Sequence, residues 1–268
     1  MKNFFDKFEK EQKFNLFTGD FLNKLSGYPS KSDISEAILS ELKQSAKRYI
    51  KDMNSFSDIV QAYLDAVIDT KKNLIKQIRE NFEHRYNINL DIYSDIINSG
   101  LFESIFTNNF DTVLETNFCD LITKITPTTV KDVKENSIGY YKFLGDISSI
   151  ATVFISSQDI RKLKTLDFYS NFFTRVREEF QKRPTIFLGI DLEDSDMMNL
   201  LSYILEPLNS FQPIYMVTNT SIISSKTADL IGKYNIKLIT SSTKDFLDYF
   251  KEISQKEEKI VSEKKFVW

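Results

Sequence analysis

The stretch TIFLGIDLEDSDMMNLLSYILEPLNSFQPIYMVTN, residues 185–219, decides the fold class. Its two ends, TIFLGID at 185–191 and PIYMVTN at 213–219, are short apolar runs followed by polar turns, and such runs predict buried β-strands. Between them, the spacing of the apolar residues from Met197 to Leu205 predicts a helix. A strand, a helix and another strand in succession favour a parallel sheet with helical connections.

The same alternation continues outside this stretch. Further strands are predicted at 14–18, 104–111, 140–146, 152–157 and 236–241, and further helices at 168–180, 227–234 and 246–253. Helical spacing also runs through 34–53 and then without interruption through 56–82, after a capping-box-like pair at Asp33 and Glu36. We therefore expect an α/β fold, a Rossmann-like parallel sheet with helices on both faces and an inserted helical module.

Four segments follow from this pattern. They are the first strand and loop at 1–32, the helical insert at 33–104, the remainder of the Rossmann-like domain at 105–253 and a charged tail at 254–268. The aromatic residues of the insert fit either an internal core or an interface, and they are Phe56, Tyr63, Phe82, Tyr86 and Tyr93. The tail, with Trp268, fits either a frayed segment or one that docks on a partner or on the body of the protein.

Composition excludes several classes of function. The 35 basic and 38 acidic side chains are interspersed and give a formal charge of −3, so we expect no direct binding of nucleic acid. The single cysteine, Cys119, excludes an internal disulfide and favours a reducing compartment, and the composition suggests no metal site. No apolar run approaches the roughly 20 residues of a membrane span. Residues 1–14 lack the apolar core of a signal peptide, so a cytoplasmic protein is expected.

Four polar or glycine-containing turns follow predicted strands. They are FTGDFLNKLSGYPS at 17–30, IFTNNFDTVLE at 105–115, YKFLGDIS at 141–148 and IFLGIDLEDSD at 186–196. In open parallel sheets ligands bind beyond the carboxyl ends of the strands, so these turns form the candidate site. A glycine loop between a strand and a helix is typical of phosphate binding. Tight strand exits alone would equally explain Gly19, Gly145 and Gly189.

Taken together, the four turns resemble the bacterial sirtuin-like family, the NAD-consuming relatives of protein deacylases, over residues 14–253. That family carries Gly-Ala-Gly-x-Ser closed by Gly-x-Pro, then Thr-Thr-Asn-Tyr-Asp or Thr-Gln-Asn-Ile-Asp, then His-Gly, and then Gly-x-Ser-Leu followed by Asp. The matching residues here are Gly19, Gly27, Pro29, Thr107, Asn109, Asp111, Gly145, Gly189, Leu192 and Asp194. The resemblance implies an ancestral NAD pocket made of Gly19, Asn23, Pro29, Thr107, Asn109, Gly145, Gly189 and Asp191.

The departures from the family pattern indicate a degenerate site. Leu144 stands at the position of the family's histidine, and its side chain can neither accept nor donate a proton. Asp20 and Phe21 replace Ala and Gly in the first loop, while Asn23 and Asp191 each replace a serine. Two carboxylates and a phenyl ring beside a pyrophosphate oppose its binding, so we expect no cofactor, or NAD only if the pocket still functions.

The retained residues Asn109 and Asp111 have three interpretations. They could form a structural turn that caps a helix at 112–118. They could instead line a pocket for a less anionic ligand, such as a nucleoside or a nicotinamide-like ring. In the third interpretation they are catalytic and activate water for residual NAD hydrolysis. His84, in a polar run of the insert, is interpreted as a surface residue and not as the missing base.

The function expected from this resemblance is that of a non-catalytic, protein-binding subunit. Bacterial relatives often serve in defence against phage, and the resemblance implies such an assembly, with another protein subunit or a second copy of the chain as partner. One alternative is an active NAD glycohydrolase that releases nicotinamide and ADP-ribose. Another is a module that binds a nucleotide signal.

Overall fold

The computed structural model describes residues 12–42, 55–67, 70–83, 87–163, 165–219 and 224–252, with the single residues Phe4, Lys47 and Ile50. The predicted tail at 254–268, His84 and Tyr86 lie outside the described residues. No helix in the described part has the length and apolar character that a bilayer span requires.

The described elements alternate along the chain as an α/β fold requires. The strands are β1 (Phe14–Thr18), β2 (Phe102–Thr107), β3 (Ile122–Ile125), β4 (Ile138–Lys142), β5 (Thr185–Leu188), β6 (Ile214–Thr218) and β7 (Lys237–Thr240). The helices before β2 are α1 (Phe21–Ser26), α2 (Lys31–Glu41), α3 (Phe56–Ala66), α4 (Lys71–Glu83) and α5 (Asp91–Asn98). The later helices are α6 (Val113–Asn117), α7 (Ser157–Lys162), α8 (Asp167–Lys182), α9 (Ser195–Leu205), α10 (Ser225–Lys233) and α11 (243–252).

The described strands form one sheet in the order β3-β4-β2-β1-β5-β6-β7, and every pairing between them is parallel. From β1 the chain fills one side of the sheet with β2, β3 and β4, and it then returns to build β5, β6 and β7 on the other side. The order therefore reverses between β1 and β5, where an open sheet leaves a crevice for ligands. The prediction of a Rossmann-like parallel sheet is confirmed.

Both faces of the sheet are covered by helices. Neighbouring residues of a strand point to opposite faces, and Leu16 and Phe17 accordingly belong to two different apolar clusters. The Phe17 cluster includes α8, α9 and α10, for example through Phe172 and Leu201, while the Leu16 cluster includes α5 and α11. Burial on both faces explains why the central strands are almost continuously apolar in sequence.

The helices α2, α3 and α4 share a third apolar cluster. This cluster also contains Phe110, from the turn after β2, and the ring centroids of Phe56 and Phe110 lie 5.6 Å apart. Helices α2, α3 and α4 therefore pack against the turn at the carboxyl end of β2. Phe56, Tyr63 and Tyr93 are buried, as an internal core predicts, whereas the side chain of Phe82 is not described.

Several details differ from the predictions. The segment 152–157 is not a strand, because its only backbone bond to the end of β4 runs from Phe154 N to Leu144 O, at 2.9 Å. The helical run 56–82 is two helices, since the hydroxyl of Thr70 accepts from Asn73 N and starts α4. The capping box of α2 uses Ser30 and Asp33 instead of Asp33 and Glu36.

Candidate functional site

A cleft of about 790 Å³ opens at the reversal of strand order. It is lined by residues that follow β1, β2, β5 and β6 and by the start of α11, among them Gly19, Phe21, Asn108, Gly189, Asp194 and Thr243. We call it the switch-point cleft. Its volume is in the range of small-molecule sites.

Close backbone packing explains the two glycines at the mouth of the switch-point cleft. A Cβ atom added to Gly19 would lie 2.4 Å from the carbonyl oxygen of Gly189, so β1 and β5 leave the sheet in direct contact. Gly189 has φ of +65°, and a Cβ atom there would lie 2.9 Å from Cβ of Phe21. Phe21 therefore covers Gly189 while remaining 41% exposed in the cleft.

Asp20 also lies at the cleft, but its charge is partly engaged. Its Oδ2 accepts a hydrogen bond of 2.7 Å from the backbone N–H of Lys31, the first residue of α2. Asp20 thus takes one of the N–H groups at a helix start that an anion would otherwise use. Asn23, the replacement for the loop serine, faces away from the cleft into a buried network.

That buried network holds Asp111. The side-chain amide of Asn23 donates to Asp111 Oδ2 at 2.7 Å, and the hydroxyl of Tyr93 donates to Asn23 Oδ1 at 2.6 Å. The other oxygen, Asp111 Oδ1, accepts from Val113 N at 3.0 Å and so satisfies the first turn of α6. Burial, followed by the charge of Asp111, raises the pKa of Tyr93 well above its ordinary value, which keeps this hydroxyl a donor.

Asn109 and Asp111 border a small space that we call the inner cavity, which adjoins the switch-point cleft because Asp20 and Lys31 line both. It is also lined by Asn23 and Pro29, and its volume is only about 10 Å³, enough for about one water molecule. The backbone N–H of Asn109 donates to the hydroxyl of Thr107 at 3.0 Å, and its side chain donates to Gly19 O at 3.4 Å. The residues predicted to form one NAD pocket therefore divide between two spaces. Asn23, Pro29 and Asn109 border the inner cavity, whereas Gly19, Gly189 and Asp191 line the switch-point cleft.

The position of the family's histidine has a different environment again. Leu144 is buried and belongs to the apolar cluster of α8 and α9. It borders a third cavity, of about 10 Å³, which is lined by apolar Ile160, Leu163 and Leu200 and by polar Asn108 and Asp196. Gly145 has φ of +78°, and a Cβ atom there would lie 2.2 Å from Thr152 O, so this glycine permits the close approach of 152–154 to the end of β4.

The loop between β5 and α9 brings carboxylates to the switch-point cleft. Asp191 is exposed, and its Oδ1 accepts from Glu193 N at 2.8 Å. Asp194 caps α9 by accepting from Asp196 N at 2.9 Å, and burial raises its pKa to about 6. Asp196 accepts from the hydroxyl of Ser57 at 2.7 Å and so ties α3 to α9.

A buried charge cluster lies directly behind the Asp111 turn, and sequence reasoning missed it. Lys142, at the end of β4, is fully buried and donates to the carbonyl of Asp111 and to carboxylates of Glu115 and Asp146. Lys124 adds a second cation, 3.8 Å from Glu115 and 2.5 Å from Asp146. The sequence did contain one indication, a lysine inside an otherwise apolar strand. A buried ammonium group needs hydrogen-bond acceptors close to it.

The two carboxylates of this cluster shift in opposite directions. Burial raises the pKa of Glu115 to about 7, against the opposing charge of Lys142. The pKa of Asp146 is held well below its ordinary value, because the attraction of Lys142 and hydrogen bonds to its charged form outweigh the effect of burial. The shift of Glu115 has a measurable consequence for stability.

Substitution of Glu115 by Gln is expected to flatten the pH dependence of stability between about pH 4.5 and 7. In this window the unfolded chain releases the Glu115 proton while the folded chain keeps it, so the free energy of unfolding of the wild type falls as pH rises, by about 1 kcal/mol per pH unit from this group. Glutamine removes this contribution. Urea denaturation at half-unit pH steps measures it, with the exposed Glu178→Gln as the control, and an unchanged slope in Glu115→Gln would contradict the assignment.

The fold and the cleft at its switch point define a Rossmann-like domain of the kind that binds nucleotides. A family model described as a SIR2-like domain matches residues 103–239, half of the chain. The chain therefore belongs to the SIR2-like family and is a sirtuin-like, NAD-related protein. A comparison with curated proteins finds no match. The matched range starts in β2 and ends in β7, so the loop at 17–30 lies outside it.

Proposed function

We propose that this chain is a sirtuin-like protein that does not cleave NAD and that acts by binding another protein. The observation that carries the proposal is the size of the inner cavity. Asn109 and Asp111 are the residues that catalysis would require, and they border a space of about 10 Å³, which is too small to enclose a ribose or a pyridine ring. An antiphage assembly is the context that the sequence resemblance supplies.

The environment of Leu144 supports the same proposal. General base catalysis needs a titratable group within hydrogen-bonding reach of the proton it removes. The family's histidine position instead holds a buried leucine, whose side chain can neither accept nor donate a proton. A simple reversion, Leu144→His, would bury a larger imidazole at a cavity of about 10 Å³, so we expect it to lower stability even though Asn108 and Asp196 border the same cavity.

An open sheet edge supports a role in binding protein. Among the described strands, β7 pairs only with β6, and three of its four residues, Lys237, Leu238 and Thr240, are exposed. Leu238 is 43% exposed and also lines the switch-point cleft, so a chain added at this edge would lie beside the cleft. An unpaired strand edge offers backbone donors and acceptors to another chain, and an exposed apolar side chain adds buried area when that chain binds.

NAD turnover tests the catalytic half of the proposal. Purified wild-type protein and Asn109→Ala are incubated with NAD, and released nicotinamide is followed by chromatography. We expect neither sample to exceed the protein-free blank. Nicotinamide release by the wild type that Asn109→Ala abolishes would establish the alternative, an active NAD glycohydrolase, and would overturn this half of the proposal.

Co-purification tests the binding half. The tagged chain is co-expressed with the products of its neighbouring genes, and its self-association is measured by light scattering. We expect Leu238→Lys to reduce the complex, because a lysine on the β7 edge blocks strand addition. Leu25→Lys is the matched control, since Leu25 is 41% exposed and lines the same cleft as Leu238 but lies on α1. Equal behaviour of the two variants would count against β7 as the contact.

A further inference from the structure

The rim of the switch-point cleft carries exposed apolar side chains. Among the residues that the structure describes, six large apolar side chains are exposed, and three of them line this one cleft, those of Phe21, Leu25 and Leu238. The same lining is extended by three half-buried side chains, those of Ile59, Met216 and Ile231. Exposed apolar side chains that cluster in this way mark a surface on which another segment of polypeptide packs.

The charges of the cleft are mixed in sign. Its lining includes three lysines and four carboxylates, which are Lys24, Lys31, Lys244, Asp20, Asp191, Glu193 and Asp194. A macromolecule with a strong charge of one sign would meet like charges here, whereas a segment that carries both signs can meet opposite charges. The cleft therefore favours an occupant that is partly apolar and carries charges of both signs.

The tail at 254–268 has this composition. Its sequence, SQKEEKIVSEKKFVW, contains four lysines and three glutamates, so its small net charge is opposite in sign to that of the cleft lining. It also carries two apolar runs, at 260–261 and at 266–268, and the second contains Phe266 and Trp268. Each of these two aromatic side chains buries roughly 150–250 Å² when it packs. The tail thus matches both the apolar and the charged lining of the cleft.

The tail also follows the cleft closely enough in the chain to reach it. Helix α11 begins at Thr243, in the cleft lining, and its ten residues carry the chain about 15 Å away. The thirteen residues 253–265 can span up to about 43 Å when extended, so the run at 266–268 can return to the cleft. Tethering gives such a segment an effective concentration of about millimolar, so a weak intrinsic affinity is enough for docking.

We propose that the tail docks in the switch-point cleft of its own chain, with the apolar run at 266–268 packing on Phe21, Leu25 and Leu238. Docked there, the tail covers the side chain of Leu238 beside the β7 edge, so it competes with a partner that adds to this strand. The competition rests on the proposed function, whereas the docking itself requires neither a partner nor the absence of NAD cleavage.

The fluorescence of Trp268 tests the docking directly, because Trp268 is the only tryptophan of the chain. Acrylamide quenching of the full chain is compared with that of a synthetic peptide of residues 254–268. We expect weaker quenching and emission at shorter wavelength in the full chain, because the docked indole is shielded from water. Equal quenching of chain and peptide would overturn the proposal. Shielding that disappears on dilution would also overturn it, because it would place the tail in the cleft of a second copy.

Three variants of the full chain locate the contact. Leu238→Lys and Leu25→Lys are each expected to lower the ratio of docked to undocked tail by about tenfold, which raises the quenching of Trp268 toward that of the peptide. Leu121→Lys is the control, since Leu121 is also 41% exposed but does not line the cleft. Quenching that stays at the wild-type value in both cleft variants would refute the cleft as the docking site.

The same variants separate this proposal from the binding of a partner at β7. Docking of the tail depends on both Leu25 and Leu238, whereas strand addition at β7 depends on Leu238 alone. Fluorescence follows the tail and co-purification follows the partner, so either result can fail while the other holds.

Discussion

Replacing Lys142 by methionine is expected to lower the free energy of unfolding by about 3–5 kcal/mol. Lys142 is fully buried, and its ammonium donates to Glu115, to Asp146 and to the carbonyl of Asp111. Methionine fills a similar volume but leaves two carboxylates and a carbonyl in the interior without their central cation. Urea denaturation at pH 7.5 measures the loss.

Lys124→Met is the matched control for this experiment. Lys124 contacts the same two carboxylates, but its side chain is 34% exposed, so water can replace it. We expect a loss of about 1 kcal/mol or less for this variant. Equal losses for the two lysines would mean that burial of Lys142 does not determine its contribution. A loss below about 1 kcal/mol for both would mean that the cluster is not a structural centre at all.

The effect on the site is as informative as the effect on stability. Lys142 bonds the carbonyl of the residue whose side chain Asn23 holds, so the cluster fixes the Asp111 turn from behind. These contacts give Asp111 a structural role in the turn after β2 and at the start of α6.

The sheet was largely predictable because its strands are short apolar runs, and β1 and β5 at its centre are buried throughout. β1, β5, β6 and β7 each stand out as an apolar run between polar turns, and their order with the helices implied a parallel sheet. β3 was missed, since Ile122–Ile125 is short and contains Thr123 and Lys124. At the sheet edge a strand needs fewer apolar residues, and the pattern weakens accordingly.

The segment 152–157 was wrongly predicted as a strand because its residues are apolar and buried. Val153, Phe154 and Ile155 are all buried, so the segment has the composition of a strand. It is buried by side chains alone, because Val153 and Ile155 pack with α3 and α4 while Phe154 packs with α8. An apolar run indicates that a segment is buried, but it does not indicate whether its backbone pairs with a strand.

The candidate site was predictable as a location but not as a set of contacts. Topology brings the four turns to one edge of the sheet, as expected from their order. The sequence could not tell which of two adjacent asparagines faces the open cleft, and the structure places Asn108 there and Asn109 at the inner cavity. Side-chain direction at a strand exit depends on turn geometry that no local spacing encodes.

Gly145→Ala is expected to cost about 2–5 kcal/mol of stability. Its φ of +78° disfavours any L side chain by about 1–2 kcal/mol, and the added Cβ atom would lie 2.2 Å from the backbone oxygen of Thr152, so the chain must also shift, at about 1–3 kcal/mol. Gly232→Ala is the matched control. Gly232 lies in α10 with nothing within 4 Å of an added Cβ atom, and alanine there should gain about 0.5 kcal/mol.

The comparison of these two variants by urea denaturation distinguishes two reasons for the glycine that follows Leu144. If the backbone contact with Thr152 requires a glycine at 145, Gly145→Ala loses stability whether or not any ligand is present. The glycine is then explained by packing, and no bound phosphate or nicotinamide is needed to explain it. A Gly145→Ala protein as stable as Gly232→Ala would remove this account. Because the added Cβ atom would meet the backbone oxygen of Thr152, no rearrangement of a side chain can relieve the clash.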